Sequence, residues 1–257
     1  MKYNVLVIAG TTESRQVIEK LLGENPNERI LASVATELGK EMLLEYDIDV
    51  HVGRLDQDGF LALLKENPCE KIIDASHPFA DIVSQEAMKA ANLAGIPYVR
   101  FERQATNDLS GATVVHSTEE AIAYIKDKGY KTVYLGTGSK TLPLFVHGLP
   151  ESRIVVRVLP TSEVLKGCEE LGLVPDQIDA IKAPFSKECN KELLARSKAE
   201  VFVSKESGNI GGIREKIEGC QELGMDCVII SRPIVNYPKV VSTIEELATH
   251  LKKEVYG

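Results

Sequence analysis

The chain has 257 residues and a formal net charge of −8, from 30 Lys plus Arg against 38 Asp plus Glu. At roughly 150 residues per domain, this length allows one large domain or two modest ones. Its 44% hydrophobic and 26% charged content is that of an ordinary globular protein, which excludes collagen-like, coiled-coil and disordered chains. The acidic balance argues against a dedicated nucleic-acid-binding protein, because such proteins carry a basic excess.

The spacing of the cysteines and the first apolar run bear on the redox environment and the location of the protein. The five cysteines are widely spaced, with neither a C-x-x-C pair nor a zinc-like spacing with histidine. We therefore expect reduced, structural thiols and no metal site. The apolar run Val5–Ala9 is too short for a membrane span or a signal sequence. We expect a soluble cytoplasmic protein with no membrane partner and no nucleic-acid partner.

Short β-branched runs alternate with helical patterns along the first half of the chain. Strands are predicted at Val5–Ala9, Ile30–Val34, Val50–Val52, Ile72–Ala75 and Tyr98–Phe101. A helix is predicted between the first two strands, because its apolar residues recur on one helical face and a glycine follows them. This alternation predicts a mostly parallel sheet, in which ligands bind beyond the carboxyl ends of the strands.

The second half of the chain repeats this organisation at a shift of about 125–129 residues. Gly10-Thr11 after the first strand aligns with Gly136-Thr137-Gly138 after another β-branched run. Capping-box patterns, Ser117-x-x-Glu120 and Thr243-x-x-Glu246, close each half with a helix. We predict two tandem Rossmann-like α/β domains with mostly parallel sheets, residues 1–129 and 130–257, and a ligand cleft between them.

The first candidate site is the glycine turn Gly10-Thr11-Thr12-Glu13-Ser14-Arg15. Backbone N–H groups and hydroxyls at a helix N-terminus suit a phosphate or a carboxylate. The turn has one glycine followed by threonines instead of G-x-G-x-x-G, so it is a weak dinucleotide fingerprint. The alternative is a tight turn in which Thr11 or Thr12 is an ordinary N-cap.

The second candidate site is Asp74-Ala75-Ser76-His77-Pro78-Phe79-Ala80, where a predicted strand ends. An acid, a hydroxyl and an imidazole within about one turn are costly to pack, which favours a ligand. His77 can donate or accept a proton near neutral pH. In the alternative, Asp74 caps the following helix and His77 merely packs.

Two further strand ends in the second half carry lysines. Gly136-Thr137-Gly138-Ser139-Lys140 is too short for a P-loop, but its amides and Lys140 suit an anion. The alternative is a plain turn with a solvated lysine. The run from Ser204 to Gly212 holds Lys205, hydroxyls and three glycines, which let the backbone approach a ligand closely. Here the alternative is a flexible surface loop.

Together these motifs resemble the precorrin-6A reductases of corrin (vitamin B12) biosynthesis, including the cobalt-precorrin-6A form of the anaerobic route. The resemblance covers nearly the whole chain, through the stretches Gly10–Arg15, Asp74–Ala80, Arg100–Arg103, Gly136–Ser139, Pro184–Ser186 with Glu188 and Asn190, and Ser204–Gly208. Asp-Ala-Ser-His-Pro-Phe-Ala is the most specific of these stretches.

The resemblance implies that hydride from NADH or NADPH reduces one double bond of the precorrin-6A macrocycle. The first domain is expected to bind the dinucleotide, and the second to contact substrate and cofactor. The expected cofactor-binding residues are Gly10, Thr11, Thr12, Glu13, Thr36, Ser76 and Pro78. The expected substrate-binding residues are Arg15, Arg103, Thr137, Gly138, Ser139, Lys140, Ser207 and Gly208. His77 and Lys205 are the candidate catalytic residues, as proton donors.

The substrate is a flat tetrapyrrole fringed with carboxylates, so it requires several separated cations. Ala35-Thr36-Glu37 follows the second strand at a place where many family members of the oxygen-dependent route have an arginine. An arginine would suit a 2′-phosphate, whereas Thr and Glu suit a ribose diol, so this departure favours NADH and the cobalt-containing substrate. Two alternatives are a non-catalytic, two-lobed binding protein for an anionic tetrapyrrole or nucleotide, and a methyltransferase of the same pathway. We expect a monomer or a small homo-oligomer.

Overall fold

The computed structural model describes residues 3–106, 108–182, 185–206, 208 and 212–256, with the backbone alone for 253–256. The chain divides into two compact units. The first unit comprises Met1–Gln104 with Ile234–Gly257, and the second comprises Ala105–Pro233. Each unit contains one six-stranded sheet.

The strands are β1 Val5–Ile8, β2 Ile30–Val34, β3 Asp49–Val52, β4 Ile72–Asp74, β5 Tyr98–Phe101, β6 Thr113–Val115, β7 Thr132–Gly136, β8 Arg153–Val158, β9 Ile178–Ala180, β10 Val201–Lys205, β11 Asp226–Ile230 and β12 Val240–Val241. The α-helices are α1 Thr12–Glu24, α2 Glu37–Glu41, α3 Gln57–Glu66, α4 Asp81–Ala94, α5 Thr118–Lys128, α6 Leu142–Gly148, α7 Ser162–Glu170, α8 Lys187–Ser197, α9 Ile213–Glu222 and α10 Ile244–Tyr256. A single 3₁₀ turn, Pro175–Gln177, precedes β9.

Both sheets follow the doubly wound plan. The strand order is β12-β5-β4-β1-β2-β3 in the first unit and β6-β11-β10-β7-β8-β9 in the second. Among the residues that the structure describes, all ten strand pairings are parallel. The order reverses between β1 and β4 in one sheet and between β7 and β10 in the other. Ligands of such sheets bind outside the carboxyl ends of the strands at that reversal.

The prediction of two Rossmann-like α/β units is confirmed, and the predicted strands of the first half agree with the structure to within one residue. The hydroxyl half of each predicted capping box forms, whereas the carboxylates of Glu120 and Glu246 accept the amide hydrogens of His116 and Ser242, one residue before the N-cap. The Ser117 hydroxyl accepts the Glu120 amide hydrogen at 3.1 Å, and the Thr243 hydroxyl accepts that of Glu246 at 3.1 Å. The sequence predicts these caps because each one depends on residues within a single turn.

The boundary between the units differs from the predicted one near residue 129. Strand β6, with α5 after it, joins the second sheet by pairing with β11, whereas β12 joins the first sheet by pairing with β5. The chain therefore passes between units twice, at residues 104–105 and 233–234. The two closing strand-helix segments have similar apolar patterns, so the sequence does not indicate which sheet each one completes.

Apolar residues of the central strands fill both faces of the first sheet. Val5 and Val7 pack on one face with Ile18 of α1, while Leu6 and Ile8 pack on the other with helices α3 and α4. Each such buried side chain stabilises the fold by about 1.5–3 kcal/mol. Within the described part of the chain, no helix combines the length and the apolar character that a membrane crossing requires.

Candidate active site

The turn after β1 is held by a reciprocal cap. Thr11 is the N-cap of α1: its Oγ1 accepts the Ser14 amide hydrogen at 3.0 Å and donates to the Ala75 carbonyl at 2.9 Å. The Ser14 hydroxyl accepts the amide hydrogens of Gly10 and Thr11 at 3.2 and 3.1 Å. Gly10 has φ of +113°, which side chains other than glycine rarely adopt. The capping role weighed for Thr11 is therefore confirmed.

The first turn of α1 remains suited to an anion. The amides of Thr12 and Glu13 lie at the positive end of the helix dipole. The Glu13 carboxylate forms an ion pair with Arg103, which offsets its negative charge. The Nε of Arg15 is buried and has no hydrogen-bond partner among the described residues. Because an unpaired buried donor is costly, this turn fits an anionic group of a ligand, such as a phosphate or a carboxylate.

Asp74, at the end of β4, lies inside a buried polar network. Its Oδ2 accepts hydrogen bonds from the hydroxyls of Ser84 and Tyr98, both at 2.5 Å. Its Oδ1 accepts from Arg100 Nη1 and from the Ser76 amide, both at 2.9 Å. The idea that Asp74 caps the next helix is wrong, because α4 begins at Asp81 and Ala80 is its N-cap.

Arg100 carries the positive charge of this network and is fully buried. It also donates to Ser76 Oγ and to Glu102 Oε2, both at 2.9 Å, and its guanidinium lies 5.3 Å from the ring centre of Tyr237. Burial, and then the Asp74 carboxylate, raise the pKa of Tyr98 far above its ordinary value. A buried network whose members are paired in this way is rigid, and it fixes the position of Ser76.

His77 follows that network directly and is exposed. Its Nδ1 accepts the Phe79 amide hydrogen at 3.2 Å, so the neutral ring carries its hydrogen on Nε2. The His77 ring lies 5.9 Å from that of Phe79 but is exposed, so it does not merely pack in the interior. Ser76 and Pro78 are buried and line a small recess together with the Glu13–Arg103 pair.

Thr36 lies at the same edge of the first sheet, after β2. It is exposed and is the N-cap of α2, with its hydroxyl accepting the Gly39 amide hydrogen at 3.2 Å. Strands β1 and β2 are parallel neighbours. Thr36 and the Gly10 turn consequently end adjacent strands, as expected for two parts of one nucleotide site.

The turn after β7 is shaped by close packing. A Cβ at Gly136 would lie 2.8 Å from ring carbons of Phe202, so only glycine fits there. Gly138 has φ of +78°, and Thr137 is buried with its Oγ1 3.2 Å from that of Thr141. Ser139 is partly buried.

Lys205 ends β10 and is partly buried, and Lys140 is exposed. Burial, and then the charge of Lys140, lower the pKa of Lys205, so the structure brings these two predicted cations into electrostatic contact. Next to Lys205, the buried Glu206 accepts the Gly208 amide hydrogen at 2.7 Å and pairs with Arg232. The predicted residue Ser207 lies outside the described residues.

The sequence motifs do not identify one buried cation of the second unit, Arg157. Arg157 lies in β8 and is 8% exposed. It lines a cavity of about 180 Å³ together with Lys216, Asn190, Phe185 and Gly138, among others. The run Arg153–Val158 is otherwise apolar at its centre, so it is typical of a core strand. The only signal was an arginine inside such a strand, and Arg100 in β5 follows the same pattern.

Comparison with known proteins gives concordant results. Residues 4–252 match the family model described as precorrin-6x reductase CbiJ/CobK. The cobalt-precorrin-6A reductase of Priestia megaterium is 34% identical over 246 residues, covering 95% of this chain and 96% of the relative. That of Salmonella typhimurium is 36% identical over 235 residues, covering 90% and 88%.

A solved structure described as CobK precorrin-6A reductase has the same fold. It superposes with a TM-score of 0.77 at 22% identity, covering 98% of this chain and 97% of the other. The family match spans both sheets and every strand-end motif described above. The chain therefore belongs to the precorrin-6x reductase family, whose members are oxidoreductases that act on a CH–CH group.

Proposed function

We propose that the chain reduces one double bond of cobalt-precorrin-6A in cobalamin biosynthesis, with a reduced nicotinamide as hydride donor. The observation that carries this proposal is the family match over residues 4–252, which includes the polar strand ends of both sheets. The relatives at 34% and 36% identity are named as cobalt-precorrin-6A reductases, which favours the cobalt-containing substrate.

In this proposal the first unit holds the nucleotide. Its residues fit the group, because the first turn of α1 presents backbone amides beside a glycine turn at the strand-order reversal. The residues assigned to the cofactor are Gly10, Thr11, Thr12, Glu13, Thr36, Ser76 and Pro78. When bound, the nicotinamide supplies the hydride. Thr36 and the exposed Glu37 suit a ribose diol, so NADH is the proposed cofactor.

The substrate is assigned to cations and amides at strand ends of both units. Arg15, Arg103, Thr137, Gly138, Ser139, Lys140, Ser207 and Gly208 are the proposed contacts. Bidentate arginine clamps a carboxylate, and lysine acts as a point charge. Arg103 forms an ion pair with Glu13. A substrate carboxylate bound to Arg103 would therefore share that guanidinium with Glu13, which follows the Gly10 turn.

Reduction of a C=C bond also requires a proton, and His77 and Lys205 are the proposed donors. Lys205 has a lowered pKa because it is partly buried and faces Lys140, which makes its ammonium a stronger acid. His77 is exposed and its neutral ring carries the hydrogen on Nε2. The proton goes to the carbon next to the one that receives the hydride.

The test is anaerobic turnover of precorrin-6A with and without cobalt, followed by the absorbance change as conjugation shortens. We expect turnover of the cobalt-containing substrate and a higher kcat/KM with NADH than with NADPH. A clear preference for NADPH contradicts the cofactor assignment. Nicotinamide fluorescence that shifts on binding, without turnover of either substrate, would favour the non-catalytic binding protein instead.

A further inference from the structure

The cavity of the second unit lies beyond the carboxyl ends of β7 and β8. Its volume is about 180 Å³, and its walls include Gly138, Val158, Phe185, Arg157 and Lys216. Pockets that enclose a whole small-molecule ligand measure about 300–1,000 Å³. This cavity therefore accommodates one arm of a large ligand and not its ring system.

Arg157 is a buried charge whose described hydrogen-bond partners are neutral. Its Nη1 donates to Asn190 Oδ1 at 2.7 Å, and its Nε donates to the Tyr134 hydroxyl at 3.2 Å. Its Nη2 is buried and has no hydrogen-bond partner among the described residues. No described carboxylate lies within ion-pair distance of it. The buried carboxylate of Asp179, opposite Arg157 on β9, accepts from the Tyr134 hydroxyl and pairs with Arg196. Because a buried charge without an ion pair of its own is costly, Arg157 is suited to an anion that arrives with a ligand.

The guanidinium of Arg157 is held in a fixed orientation. It lies 4.6 Å from the ring centre of Phe185 and 5.2 Å from that of Tyr134. Asn190 donates from Nδ2 to the Ser186 carbonyl at 3.0 Å, which leaves its Oδ1 directed at Arg157. A planar fork held in this way loses little conformational freedom when it binds a carboxylate.

Lys216, on α9, contributes a second cation to the same cavity. Burial, and then the nearby charge of Arg157, lower its pKa to about 8, although Glu215 and Glu206 act in the opposite direction. Two like charges that destabilise one another in a partly enclosed space are stabilised by an anion between them. The apolar walls, Val158 and Phe185, match the methylene groups that precede the carboxylate of a tetrapyrrole side arm.

We propose that Arg157 and Lys216 form a subsite for one carboxylate arm of the tetrapyrrole, with Asn190 as the residue that positions Arg157. This assignment rests on the proposed function. A phosphate of the nucleotide shares the anionic chemistry, and the two sources give different results in a kinetic test.

The kinetic test compares Arg157→Gln with Arg153→Gln. Arg153 is exposed on the same strand and donates to the carbonyls of Ser197 and Asp176, so its variant loses the same charge away from the cavity. We expect Arg157→Gln to raise KM for cobalt-precorrin-6A about tenfold or more. KM for the nicotinamide should change less than about twofold, and Arg153→Gln should leave both values unchanged.

If Arg157→Gln does not fold, Lys216→Met with the same two KM measurements decides the question. A rise in KM for the nicotinamide alone would assign the subsite to a nucleotide phosphate and overturn the proposal. Unchanged KM values in both cavity variants, or an equal rise in Arg153→Gln, would overturn it too.

A binding measurement separates this proposal from the proposed function. An octacarboxylate porphyrin, titrated into the protein without nicotinamide, should bind wild type more tightly than Arg157→Gln, and inorganic phosphate should compete. If that difference is seen but precorrin-6A is not turned over, the subsite stands and the proposed function fails. If wild type turns over and Arg157→Gln binds the porphyrin equally well, the proposed function stands and the subsite is overturned.

Discussion

The two units share a strand order, but the buried arginines at their strand ends differ in whether carboxylates neutralise them. In the first unit, the buried Arg100 meets the carboxylates of Asp74 and Glu102, and Arg103 meets Glu13. In the second unit, the buried Arg157 has neutral hydrogen-bond partners. The same topology thus supports a strand end at which the buried arginine is neutralised and, around Arg157, one at which it is not, although Glu206 and Arg232 pair elsewhere in the second unit.

This difference fits two kinds of ligand. A neutralised edge with a glycine turn binds a nucleotide through backbone amides and needs few cations. An edge with Arg157, Lys216, Lys205 and Lys140 attracts carboxylates, and the lowered pKa values of Lys205 and Lys216 reflect burial together with cationic neighbours. The net charge of −8 therefore says little about the ligand, because local placement decides which anions bind.

The largest expected effect comes from breaking the neutralised network. Asp74→Ala leaves Arg100 buried with one carboxylate fewer, which should lower the free energy of unfolding by about 3–5 kcal/mol. Urea denaturation measures this loss. Asp56→Ala, which removes the exposed N-cap carboxylate of α3, is the control and should lose about 1 kcal/mol. Equal losses in the two variants would mean that the buried network contributes no more than a surface cap.

Unlike Asp74, the proposed proton donors should affect turnover far more than stability. We expect His77→Ala and Lys205→Ala to lower kcat by roughly 10²-fold, because each removes a group that can transfer a proton, while Tm shifts by only a few degrees. His116→Ala, which removes another exposed imidazole, is the control for His77. Loss of folding in both donor variants would instead assign them structural roles.

Binding in the second unit should depend on pH. The pKa of Lys216 is lowered to about 8, first by burial and then by the charge of Arg157, while Cys227, Glu215 and Glu206 act in the opposite direction. The lysine is protonated below that pH, so a carboxylated porphyrin should bind most tightly there and more weakly as the pH rises through 8. The dissociation constant of the porphyrin, measured in wild type and in Lys216→Met at steps of about one pH unit or less from roughly pH 6.5 to 9.5, tests this. A transition of equal size in Lys216→Met would exclude this lysine as its source.

The smallest effect concerns cofactor choice. Thr36→Arg places a cation where a 2′-phosphate is expected, so kcat/KM for NADPH relative to NADH should rise about tenfold. Thr161→Arg is the matched control, because Thr161 is the N-cap of α7 at the corresponding place in the second unit and accepts the Val164 amide hydrogen at 3.4 Å. An unchanged ratio in Thr36→Arg, or an equal change in both variants, contradicts the nucleotide assignment to the first unit.

Much of the molecule was predictable from its sequence. Strands β1 and β2, the Gly10 turn and the two helix caps follow from residues that are close along the chain, because a turn or a cap is decided within a few residues. The strand-end motifs identified the family because their residue types and order are specific. The exposed position of His77 also agrees with its place in a polar turn.

Only the tertiary structure decided which sheet receives β6 and which receives β12, since both have similar apolar patterns and either could complete a doubly wound sheet. It also decided that Arg100 meets carboxylates while Arg157 meets a neutral amide and a hydroxyl. Both arginines interrupt apolar strands in the same way. Apart from Glu102, which lies two residues from Arg100, the partners Asp74, Tyr134 and Asn190 lie 23 to 33 residues away along the chain, and a local pattern carries no information about such contacts.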